Sequence, residues 1–124
     1  MIGKIKSCDS FRVAELYDLG LLKGHTKIVR TLGCRGIDMG YDENGNFAPD
    51  PDAIEASFLL QAKLNPRVKK PVKHIVLSWP PEDAEKLTDQ EMLSAALEYI
   101  KKMGYDETQY LIVRHSETDN PHCH

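Results

Sequence analysis

The chain has 124 residues, enough for one domain built around one core. Its 41% hydrophobic and 28% charged residues are ordinary for a globular protein, and no apolar run is long enough to span a bilayer. Lys and Arg number 16 against 19 Asp and Glu, a net charge of −3 that argues against a protein basic over its whole surface, of the kind that coats nucleic acid. With no signal-peptide pattern near Met1, the expected location is the cytoplasm. The cysteines Cys8, Cys34 and Cys123 are odd in number and widely spaced, so reduced thiols are expected rather than a disulfide framework.

Met1 to Lys6 alternates apolar and polar residues and reads as a short strand. Phe11 to Leu22 carries Val13, Leu16, Tyr17 and Leu21 at helical spacing, and Gly20 and Gly24 weaken its end. Thr26 to Leu32 reads as a strand stopped by a turn at Gly33-Cys34-Arg35-Gly36, with a loop over 38–49. Asp50-Pro51 is a helix start, with Asp50 as N-cap and Pro51 at the first helical position. Ile54, Phe58 and Ala62, with Leu59 beside them, mark the buried face of that helix, and Asn65-Pro66 ends it. Val72 to Leu77 is a strand closed by Trp79-Pro80-Pro81. Thr88-Asp89-Gln90-Glu91 is a capping box, opening a helix with Met92, Ala96, Tyr99 and Met103 in one row and Leu93, Leu97 and Ile100 in the next. Gly104 closes it, and Gln109 to Arg114 is a last short strand. Strands alternating with helices imply helices layered on a sheet.

That strand runs into the segment where chemistry concentrates. Three of the five histidines, His115, His122 and His124, fall in the last ten residues. His122 and His124 are two apart, so on a strand both imidazoles point the same way, while Cys123 points away. His115 can meet them from a neighbouring strand. Three neutral imidazoles converging on one point make a divalent metal site with positions left open for substrate. The competing reading is a solvated tail or an expression remnant.

A second concentration runs from Lys63 to Lys73, where Lys63, Arg67, Lys69, Lys70 and Lys73 occur with no acid among them. It reads either as a phosphate-binding stripe or as a solvated basic loop. His74, in mid-strand on the face of Val72 and Val76, reads as a hydrogen-bonded core or sheet-face histidine rather than a ligand. Trp79 either stacks on a base or plugs the core.

The segment His115-Ser116-Glu117-Thr118-Asp119-Asn120-Pro121-His122-Cys123-His124 resembles the third motif, of the form H-x-D-x-x-x-P-H-x-H, of the relaxase/mobilization nucleases in the HUH endonuclease superfamily. Glu117 stands where that motif has Asp. The N-terminal strand, then Ser10-Phe11 and a helix bearing Tyr17, is similar to the family's first motif. The stretches Phe58 to Arg67, Lys70 to Ser78 and Gly104 to Arg114 look like those of mobilization relaxases from Bacteroides-type elements.

The resemblance implies an enzyme that nicks one DNA strand at a transfer origin. Tyr17 would be the nucleophile, forming a 5′-phosphotyrosine. His115, His122 and His124 would hold a divalent metal, Mn2+ or Mg2+. Glu117 or Asp119 would act as base, or one of them would orient an imidazole, a role that falls to Glu117 because it occupies the family's acidic position. Lys63, Arg67, Lys69, Lys70, Lys73 and Ser78 would contact DNA. The implied partners are single-stranded DNA at a transfer origin, relaxosome accessory proteins and a type IV secretion coupling protein, with no membrane association.

The resemblance also implies an α/β fold of the α+β kind, a mainly antiparallel sheet with helices on one side and the His strand central. Residues 1–124 would form the N-terminal portion of the catalytic domain, ending at the His motif. The alternative is a catalytically inactive remnant that binds DNA or metal at most. On either reading the His strand would lack a downstream partner, so residues 116–124 are expected to be poorly ordered or paired on one side only.

Overall fold

A computed structural model describes residues 1–8, 29–40, 43–46, 48, 50–64, 66–67, 72–105, 107–115 and 120–124. The expected helix over Phe11–Leu22 lies outside them. The described elements are strands β1 (Ile2–Cys8) and β2 (Val29–Arg35), helix α1 (Pro51–Ala62), strand β3 (Val72–Ser78), a 3-10 turn (Pro81–Asp83), helix α2 (Asp89–Lys102), and strands β4 (Tyr110–His115) and β5 (His122–Cys123).

The strands form a five-stranded sheet in the order β1-β3-β5-β4-β2. Every neighbouring pair is antiparallel. This is the α+β fold with an antiparallel sheet that the sequence led us to expect. The shortest strand lies in the middle. On one side β5 pairs with β3 through Leu77↔Cys123 and Ser78↔His122. On the other it pairs with β4 through Arg114↔Cys123 and His115↔His122. His124 extends the second ladder by exchanging hydrogen bonds with Val113, at 2.8 and 2.9 Å. The expectation of one-sided pairing therefore fails for residues 122–123. The edges of β3 and β4 face each other across one strand width, and β5 satisfies the backbone groups of both. Residues 116–119 lie outside the described set.

β4 explains the layering. Its residues Ile112, Val113, Arg114 and His115 are all buried, so both faces of this strand are covered. On one face Ile112 packs with Leu77, Cys123 and the Met92, Ala96 and Ile100 stripe of α2. On the other, Val113 packs with Met39 and with Ile54 of α1, flanked by Phe58 and Leu111. Successive strand residues point to opposite faces. The two helices are thus divided between the faces rather than gathered on one side, because β4 offers each of them an apolar row. Trp79 and Tyr99 are partly buried against the α2 core, which favours the core-plugging reading of Trp79.

Local signals set the helix ends. Asp50 accepts a hydrogen bond from the Asp52 amide at 3.0 Å, with Pro51 following as first helical residue. Thr88 Oγ1 accepts from the Glu91 amide at 3.1 Å. β2 differs from expectation: it runs through Gly33 to Arg35 and turns at Gly36, where φ is +66°. Its register slips between Thr31 and Gly33. A Cβ on Gly33 would lie 3.2 Å from Leu93 Cδ1, so glycine there marks a close approach of α2 to the strand and not a chain reversal. Among the described residues no helix is long and apolar enough to cross a membrane.

A charged tie fixes β4 to the start of α2. The buried Arg114 donates from Nη1 to Leu87 O and to Asp89 Oδ1, both at 2.9 Å. Arg30 donates from Nη2 to the same carboxylate oxygen at 2.8 Å. Partial burial pushes the Asp89 carboxyl up, but the hydrogen bonds and charges of Arg30 and Arg114 outweigh it and hold the group below its ordinary value. A depressed carboxyl contributes stability that is complete above the unfolded-state value of about 3.9 and is lost as pH falls through the folded value. Urea unfolding should therefore show Asp89→Asn less stable than wild type at pH 7, with the gap held down to about 4 and closing only as the pH falls further, toward the folded value. In the α2 core, Met92 is fully buried. Met92→Ala should lower the unfolding free energy by about 2–5 kcal/mol in the same measurement.

Candidate metal centre

The imidazoles converge because of register. His115 and His122 are directly opposed across β4 and β5, and opposed residues share a face. His124, two residues beyond His122, returns to that face. The ring centroids lie 4.2 Å apart for His115 and His124, 5.3 Å for His115 and His122, and 5.3 Å for His122 and His124. Each ring offers one nitrogen to a set whose members all lie within 4.8 Å of one another. His115 is 1% exposed, and the other two rings are half-buried. Cys123 lies between them in sequence but is buried in the α2 core on the opposite face, so its thiol stays out of the cluster.

Further hydrogen bonds hold the rings. Asn120 O accepts from His122 Nδ1–H at 3.1 Å, which leaves Nε2 as the lone-pair nitrogen of that ring. His74 Nε2 lies 3.0 Å from His124 Nδ1. The Trp79 amide donates to Pro121 O at 2.9 Å and anchors the approach to β5. Nitrogen donors of this kind suit borderline first-row divalent ions, and three protein ligands leave coordination positions for substrate.

The remaining sequence candidates divide. Ser78 is in register with His122, on the imidazole face. Lys63 and Arg67 are exposed in the segment that follows α1. Lys73 is exposed and alternates with His74, which puts it on the face opposite the imidazoles. Tyr17, Glu117, Lys69 and Lys70 lie outside the described residues.

Three residues had escaped the sequence reading. His74 was expected to be hydrogen-bonded, but its partner His124 was not foreseen. The exposed Lys4 and Lys6 pair with Val76 and His74, which places both lysines on the imidazole face. The alternation of β1 carried a signal for them, but only the strand order says which face that is.

The structure is an antiparallel α+β domain that gathers three imidazoles on one sheet face beside a serine hydroxyl, a donor set able to hold a divalent ion. Residues 36–124, well over half of the chain, match the family model for the MobA/VirD2-like relaxase nuclease domain. The chain belongs to this relaxase family. Comparison with curated proteins gives no match, nor does comparison with solved structures.

If one ion bridges the three nitrogens, it should stabilise the folded state by mass action. Saturation at about 100 times Kd corresponds to about 2.7 kcal/mol. Thermal unfolding should shift upward in excess Mn2+ and return on addition of a chelator. His122→Ala, which changes a half-buried ring, should remove the shift while the metal-free protein still unfolds cooperatively.

Proposed function

We propose that this domain cuts one strand of DNA at a transfer origin by transesterification, for conjugative mobilization of a plasmid or transposon. The observation that carries the reading is the convergence of His115, His122 and His124 on one sheet face in a chain of the relaxase family. A phosphodiester resists attack because its anionic oxygens repel a nucleophile. His115, His122 and His124 would hold a divalent cation, Mn2+ or Mg2+, which would supply positive charge to offset that of the phosphate as it is attacked.

The phenolic oxygen of Tyr17 attacks phosphorus and forms the new P–O bond. The bond from phosphorus to the 3′ oxygen breaks, leaving a 5′-phosphotyrosine and a protonated 3′-hydroxyl. The reference pKa of tyrosine is about 10, so the phenolic proton must pass to a base. Glu117 is available for that role; its more fitting role is to orient an imidazole, since it holds the acidic position of the motif. Ser78, aligned with His122, donates its hydroxyl to a phosphate oxygen. Lys63, Arg67, Lys69 and Lys70 neutralise backbone phosphates along the bound single strand, and Lys4 and Lys6 add charge on the imidazole face itself, whereas Lys73, on the opposite face, is left out of this contact.

The partners proposed are single-stranded DNA, relaxosome accessory proteins and a type IV secretion coupling protein, with the reaction in the cytoplasm. The alternative of an inactive remnant is not favoured, since a strand paired on both sides assembles the histidine cluster.

Incubation with Mn2+ and a labelled single-stranded oligonucleotide carrying the element's transfer origin should give a covalent adduct stable to denaturing electrophoresis. Tyr17→Phe should abolish the adduct, and His122→Ala should slow its formation by about 10²–10³-fold. An adduct that persists in Tyr17→Phe would refute the assignment of the nucleophile.

A further inference from the structure

We infer that His74 is a positioning residue: it accepts the Nδ1 proton of His124 and so fixes the Nε2 lone pair of His124 toward the cluster. The inference rests on the metal-site reading above.

A neutral imidazole has one N–H and one lone pair, and only the lone pair can bind a cation. The tautomer of each ligand ring therefore decides whether the cluster is a metal site at all. For His122 the choice is fixed by a carbonyl, Asn120 O, which can only accept. For His124 the partner is another imidazole, with His74 Nε2 at 3.0 Å from His124 Nδ1. An imidazole nitrogen can donate or accept, so two arrangements satisfy this contact. If His74 donates, His124 keeps its proton on Nε2 and presents an N–H to the cluster. If His124 donates, Nε2 carries the lone pair and the ring can bind an ion. The second arrangement requires His74 to carry its own proton on Nδ1.

His74 is suited to hold His124 rather than to replace it. It is not among the three rings whose nitrogens lie within 4.8 Å of one another. Its centroid is 5.1 Å from that of His124, with the ring planes tilted by 34°. It sits inside β3, a strand hydrogen-bonded to β1 on one side and to β5 on the other, so its backbone is held in place. A diagonal cross-strand contact of this kind is within reach of aromatic side chains.

The test uses the whole chain and two readouts. Long-range 1H–15N NMR of the imidazole nitrogens should show metal-free His124 protonated at Nδ1, and isothermal titration with Mn2+ should report affinity. His74→Leu, which removes the acceptor, should move the His124 proton to Nε2 and weaken Mn2+ binding by about 10–100-fold. His74→Gln, whose amide oxygen reaches toward the former Nε2 position, should restore both readings. Wild-type His124 protonated at Nε2, or Mn2+ affinity unchanged in His74→Leu, overturns the inference. So does an equal loss in both variants with folding intact, which would make ring volume the cause. If wild type binds no Mn2+ yet shows the Nδ1 proton and loses it in His74→Leu, the positioning role stands and the metal reading fails. If wild type binds Mn2+ regardless of residue 74, the metal reading stands and the positioning role fails.

Discussion

The hydrogen bonding of β5 to strands on both of its sides is the constraint from which the rest of the structure follows. Two residues, His122 and Cys123, fill the gap between β3 and β4. Without them the sheet would divide into a β1–β3 ribbon and a β4–β2 ribbon, each with an open inner edge and neither able to close a core alone. With them, β3 brings Ser78 and His74 to the same face as His115 of β4, across segments far apart in the chain. The three clustered imidazoles themselves lie on the β4–β5 pair, and closure of the sheet onto β3 adds Ser78 and His74 beside them.

The protein offsets part of the cost of gathering imidazoles in a buried place by giving a partner to one nitrogen of His122 and one of His124. Buried polar groups are expensive unless hydrogen-bonded. His122 has the Asn120 carbonyl and His124 has His74. The same logic appears on the other face, where the buried Arg114 is met by Asp89 and the Leu87 carbonyl. The adjacent residues Arg114 and His115 thus divide one strand between two tasks. One guanidinium ties β4 to the start of α2, and one imidazole enters the cluster.

Much of this was legible in the chain, for reasons that differ by residue. Asp50-Pro51 and Thr88 announced their helices because capping is a local matter, settled within three or four residues. The H-x-H spacing announced a shared face for His122 and His124 and an opposite one for Cys123, because alternation is a property of a single strand. Strand order is not local, and the misreadings came from there. That β5 would be enclosed on both sides, that β4 would be covered on both faces, and that Lys4 and Lys6 would share the imidazole face all depend on pairings between distant segments. The His74–His124 contact joins residues 50 apart and lies diagonal to the register, so no spacing rule finds it. Gly33 was misread for another reason: the same residue that signals a turn also serves where a helix approaches a strand closely.

The alternation within β5 has one more consequence. His122 and His124 face the cluster while Cys123, 2% exposed, sits among Met92, Ala96, Ile100 and Leu77 beneath α2. Ligand spacing and α2 packing are thereby two sides of one short rod, and close-packed interiors pass small displacements on instead of absorbing them. A substitution beneath α2 that shifts Cys123 therefore also shifts the spacing of His122 and His124, so the packing of the helix and the geometry of the imidazoles are set by the same two residues of backbone.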